Sequence, residues 1–161
     1  MPTSGRRNER GERVVTQRIS ELNEAEWAWI DDNIAAARRY VEDAGHPLEG
    51  TQPLDPVALD AAWAFWLRAW PAGEVDPNPV INALGMALGQ YLVDRLGLAW
   101  RLVEDEFGTE VAVHGQPGDV LVFPPNLVAK RLDTRTVGFF VPVAGQIVRQ
   151  VAELRASKAR G

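Results

Sequence analysis

The sequence predicts an α+β domain: three N-terminal helices and one C-terminal helix packed on a small antiparallel sheet of three or four strands. Three observations carry the prediction. Asparagine or aspartate caps, twice followed by proline, open three stretches whose apolar residues recur at helical spacing. Two alternating runs flank Asp105-Glu106-Phe107-Gly108 and read as a hairpin. A last stretch, from about Pro142 to Ala156, returns to helical spacing. A chain of 161 residues, 46% of them hydrophobic, falls in the single-domain range, and one core suffices.

Residues 1 to 19 mix Gly, Arg, Glu and Asn without apolar periodicity, so they are expected to form a flexible, arginine-rich tail. The folded domain is expected over residues 20–156, with 157–161 as a second flexible tail. Asn23 is placed to cap the first helix, Glu26 completes a capping box three residues on, and Leu22 can staple onto Trp27. Trp27, Ile30, Ile34, Ala37 and Val41 then mark one helical face, and Gly45 is the natural stop.

His46 to Leu54 contains Gly50 and two prolines and reads as a loop; Asp55-Pro56 opens the second helix. That helix runs to about Trp70 and carries Trp63, Trp66 and Trp70, three of the six tryptophans, which are expected to fill the core. Asn78-Pro79 repeats the cap-plus-proline start for a third helix, which Gly97 ends in a left-handed conformation. Gly85 and Gly89 lie one turn apart inside this helix. Each costs about 1 kcal/mol relative to alanine, so close packing of another backbone is expected to compensate.

Leu98–Glu104 and Thr109–His114 form the hairpin, with Glu106 and Phe107 as its two-residue loop. In that register Trp100 and Leu102 share a face with Val111 and Val113, while Arg101, Val103, Glu110, Ala112 and His114 occupy the other. Gly115 to Asp119 is a turn by composition, and Val120–Phe123 a third strand ended by Pro124-Pro125. Leu127 to Leu132 is a candidate fourth strand. Val137 to Val141 suits either the end of a strand or the approach to the last helix.

There is no cysteine, which excludes disulfides, thiolate metal sites and cysteine nucleophiles, and makes the cytoplasm the expected compartment. Ala83 to Val93, the most apolar helical stretch, is about half of the roughly 20 residues that a bilayer crossing needs. No membrane association is therefore expected. The net charge is -5, but the five arginines of residues 1–19 leave the remainder near -8. An acidic body disfavours phosphate backbones, so nucleic acid is not expected as a partner.

Leu84-Gly85-x-Ala87-Leu88-Gly89, Gly97-Leu98-x-Trp100, Val103-x-Asp105-x-x-Gly108, Phe123-Pro124 and Lys130-Arg131, in that order and spacing, resemble the signature of a bacterial family of unknown function, DUF family 3806. The resemblance covers residues 79 to 155. It implies a small α+β domain, with Gly85, Gly89, Trp100, Asp105, Gly108, Phe123 and Pro124 as its structural motif, and no activity or cofactor to carry over. The departure lies at Pro125-Asn126-Leu127-Val128, where a strand-like segment without a second proline is expected.

Chemistry has few candidates in this chain. Glu104, Asp105, Glu106 and Glu110 crowd the hairpin tip and His114 lies further along the second strand, but strand alternation separates them, and no metal or other cofactor is expected. The serines Ser4, Ser20 and Ser157 sit near the expected tails, and no nucleophile elbow, dinucleotide fingerprint or phosphate loop is present. Arg101, Lys130 and Arg131 form a candidate basic patch for an acidic partner. The expectation is a non-catalytic protein-interaction module whose partner and oligomeric state the sequence leaves open. The alternatives are a small hydrolase or a ligand- or metal-binding enzyme using carboxylates near Asp105 and His114, and an immunity-type inhibitor of a basic toxin.

Overall fold

A computed structural model of the chain describes residues 17–50, 52–71 and 73–160. Helix α1 (Glu24–Asp43) starts as its sequence dictates: the Glu26 N–H donates to Asn23 Oδ1 and the Asn23 N–H donates to Glu26 Oε1, each at 2.8 Å. Helix α2 (Pro56–Ala69) begins with Asp55 accepting from the Ala58 N–H at 2.8 Å, with proline in its first turn. Between them Arg38 reaches from α1 to the Gly50 and Gln52 carbonyls and ties the loop down.

Helix α3 (Asn78–Leu96) is the hub, packed by all four other helices and by the sheet. Its cap position is Pro77, which makes no side-chain bond to the helix. Asp76 accepts the Asn78 N–H at 3.0 Å, so Asn78 is already in the first turn. Gly97 ends the helix at φ 67°, in the left-handed region expected of it.

The sheet is an antiparallel meander of β1 (Arg18–Ser20), β2 (Ala99–Asp105), β3 (Gly108–Gly115) and β4 (Val120–Val122), in that spatial order. Trp100 pairs with Val113 and Leu102 with Val111, and Asp105 pairs with Gly108, so the two-residue loop is Glu106-Phe107. Trp100 and Val113 are buried against α3. The opposite face is not simply solvated, since Val103 and Ala112 are buried there too.

Several expectations need correction. The helices are not three N-terminal and one C-terminal around a sheet: among the described residues there are five, and α4 (Pro124–Ala129) stands where Leu127 to Leu132 had suggested a strand. Pro124 and Pro125 fit its first turn, where their missing N–H groups cost nothing. The fourth strand is instead β1, and it takes Arg18 and Ile19 from the segment read as tail; Gln17 precedes the strand, and residues 1–16 lie outside the described residues. Helix α5 runs Phe140–Arg160, so Phe140 and Val141 belong to it and Ser157–Arg160 remain helical.

A contact across 80 residues holds α5 to α2. The Asp60 carboxylate, in the second turn of α2, accepts the Phe140 N–H at 2.8 Å and the Val141 N–H at 3.1 Å, satisfying two orphan donors at the start of α5. Beside it the Trp63 indole donates to the Thr136 carbonyl at 2.8 Å. Trp63 is fully buried, Trp66 stacks on it with centroids 5.8 Å apart, and Trp70 stacks on Trp66 at 5.5 Å. The Arg135 guanidinium lies 5.0 Å above Trp70. The aromatic second helix is therefore core at Trp63 and steps outward toward Trp70.

Candidate functional site

The motif residues assemble first into a packing knot. A side chain at Gly85 would bring its Cβ to 2.8 Å from the Pro125 Cα and 2.9 Å from the Pro125 nitrogen, so the α3 and α4 backbones touch there. At Gly89 a Cβ would overlap the Trp100 ring, 2.8 Å from its Cζ2, and lie 3.0 Å from the Pro124 Cγ. The expected close approach thus has two partners, a backbone and an indole. Trp100 is pinned further because its Nε1–H donates to Gln90 Oε1 at 3.0 Å, and Gln90 in turn donates to Asp94 Oδ1. At the hairpin tip Asp105 Oδ1 accepts the Phe107 N–H at 2.8 Å, and Gly108 takes φ 137°, so these two motif residues shape the turn.

A groove of about 500 Å³ opens beside that knot. Its walls come from the start of α1, the first half of α3, the hairpin and the start of α4. Half-buried Leu102, Val111 and Phe123 supply apolar surface over the fully buried Met86, and Trp29, 40% exposed, stands on the α1 side. Asn82 and Asn126 add amides, and Glu26 and Glu110 are the charged side chains of the lining. β4 covers only Val113–Gly115 of β3, which leaves Gly108–Ala112 without a neighbouring strand on the groove side among the described residues.

Of the site residues expected from sequence, Phe123 lines this groove; Arg101, Lys130 and Arg131 do not. Arg101 donates to the Trp100 carbonyl at 2.9 Å. Arg131 donates to the Leu127 carbonyl at 2.9 Å and lies 5.2 Å above the Phe139 ring, so its charge is engaged inside the chain. Lys130 is exposed and borders a second groove, of about 530 Å³, with Leu121, Asn126, Ile147 and Gln150. His114 Nε2 lies 3.4 Å from Asp119 Oδ1 but is buried without a hydrogen-bond partner among the described residues. Six residues of strand, about 20 Å, separate it from the Asp105 end of the hairpin. Among the described residues no group of three or more His, Asp or Glu side chains is arranged to hold a metal, and no helix is long and apolar enough to cross a membrane.

Sequence reasoning passed over Trp29, Asn82 and Met86. One signal was available: Trp27 and Trp29 are two residues apart on a helix, so they cannot both face the core. A further pocket of about 210 Å³ lies between Tyr40, Asp43, Phe65, Trp66 and Trp70. Burial raises the Tyr40 phenol above its ordinary pKa of 10.0, Arg39 opposes the shift and Asp43 adds to it.

These features define a small α+β domain whose glycine-and-tryptophan knot supports an open groove. Residues 72–138 match the family described as "Domain of unknown function (DUF3806)". The match spans α3, the hairpin, β4 and α4 and stops just before α5. No curated protein and no solved structure matches the chain.

Proposed function

We propose that the chain is a non-catalytic protein-interaction module of the bacterial cytoplasm that holds its partner in the groove between α1, α3, the hairpin and α4. The groove itself supports this reading: an apolar cleft with an accessible tryptophan on one wall is the setting in which interface hot spots occur. The enzyme alternative loses ground because Asp105 is occupied with the hairpin turn and lies at the other end of the hairpin from His114, about 20 Å away. The two groove carboxylates, Glu26 and Glu110, favour a basic partner, which also accommodates the immunity-type alternative.

The test is capture of a partner by the tagged protein, followed by calorimetry with the purified pair, comparing wild type, Trp29→Ala and a Lys130→Glu, Arg131→Glu double variant. Affinity falling at least about 10-fold in Trp29→Ala, and unchanged in the double variant, is the expected result. Loss confined to the double variant would move the surface to the end of α4 and sink the groove reading.

A further inference from the structure

We infer that the groove takes an extended peptide segment, apolar at its anchor and cationic beside it, which adds as a strand to the open edge of β3. This rests on reading the groove as a partner surface, and it names the partner's chemistry.

The backbone carries the argument. Because the loop between Asp105 and Gly108 has two residues, that pair is the hydrogen-bonded one that closes the hairpin. Alternation then aims the peptide groups of Gly108, Glu110, Ala112 and His114 at β2, and those of Thr109, Val111, Val113 and Gly115 away from it. β4 takes up Val113 and Gly115, which face Val122 and Val120. The N–H and C=O groups of Thr109 and Val111 are left pointing outward, and no backbone bond reaches them among the described residues. Both residues line the groove. Five residues of open edge, about 17 Å, fit a strand of five or six residues.

An arriving strand gains main-chain bonds from that edge, while every second side chain turns toward the surface formed by Leu102, Val111 and Phe123. Backbone pairing supplies affinity without sequence preference, and the groove supplies the preference. Its charged groups are carboxylates: Glu110 is exposed, and Glu26 spends one oxygen on the α1 cap. Lysine or arginine flanking the apolar anchor matches them. A second copy of the chain, pairing β3 with β3 across a dyad, would instead set the Glu110 carboxylates near each other, which disfavours it.

The experiment selects peptides of about nine residues from a random display library against the full chain, then measures binding and amide exchange by NMR with the selected peptides. Selected sequences are expected to carry Lys or Arg beside an apolar residue, and to protect the Thr109 and Val111 amides. N-methylation of alternate peptide amides should weaken binding about 10-fold or more, and methylation of the intervening amides should not. Thr109→Pro should weaken it similarly at unchanged stability, because its N–H points out of the ladder and an edge position accepts proline. Should that variant fail to fold, the methylation series decides alone. Binding abolished by Trp29→Ala but indifferent to methylation overturns strand addition and leaves the groove as a partner surface. Failure to select any peptide, or binding indifferent to both Trp29→Ala and methylation, overturns the peptide occupant and the groove together. A concentration-dependent dimer that Thr109→Pro converts to monomer replaces the peptide with a second copy.

Discussion

Two neighbouring faces of α3 serve opposite ends. Around Gly85 and Gly89 the helix meets Pro124, Pro125 and the Trp100 ring so closely that a methyl group has no room. One turn earlier Asn82, together with Met86, borders an open groove. Of the motif residues, Gly85, Gly89, Trp100 and Pro124 form the first region, Asp105 and Gly108 shape the hairpin tip, and Phe123 reaches the groove. The knot residues are held by packing on every side, whereas the groove is lined in part by exposed side chains such as Trp29, Glu110 and Asn126.

Substitutions can break or sharpen this contrast. Trp100→Ala should have the largest effect, about 3–5 kcal/mol of stability, because it empties the space between α3 and the sheet and leaves Gln90 without its donor. Chemical denaturation measures it, and a loss below about 1 kcal/mol would dissolve the knot as an idea. Gly85→Ala should cost about 1–3 kcal/mol despite alanine's better helix propensity, since the added Cβ meets backbone that cannot rotate aside. A stabilised Gly85→Ala protein would mean that the helices separate freely. Asp105→Ala, at the hairpin tip, should cost about 0.5–1 kcal/mol through the lost Phe107 N–H contact, seen as a small fall in Tm. On the open side Trp29→Ala should cost less than about 1 kcal/mol while abolishing partner binding; a loss of several kcal/mol would make Trp29 a core residue and remove the contrast.

The smallest effect concerns pH. Tyr40 binds its proton more tightly in the folded chain than in the unfolded one, chiefly through burial. The sign follows: the contribution is fully present below pH 10 and is lost as pH rises through the folded value, so stability should decline on the alkaline side. Tyr40→Phe should flatten that decline in thermal melts between pH 9 and about 11. An unchanged slope would show that other groups set it.

The parts legible in the sequence were those set by neighbours in the chain. Asn23 with Glu26, Asp55 with Pro56, Gly97, and the register around Glu106-Phe107 each state their structure within a few residues. Helix α4 was misread because Pro124-Pro125 marks both the end of a strand and the first turn of a helix, and six residues carry too little periodicity to decide. Strand β1 has one apolar residue, Ile19, and exists through pairing with β2 some 80 residues away, opposite Val103. Asp60 gave no sign that it caps a helix across the fold. The groove was least legible, because four separate elements contribute its walls and only their folding brings Trp29, Met86 and Val111 together.

The bond from Asp60 to the start of α5 bears on how the chain comes off the ribosome. At about 5–20 residues per second, roughly 4 to 16 s separate synthesis of Asp60 from synthesis of Phe140. Throughout that interval Trp63 and its neighbours lack the lid that Phe139, Phe140 and the Thr136 carbonyl provide. The aromatic cluster around Trp63 is therefore covered only once the last helix has been made.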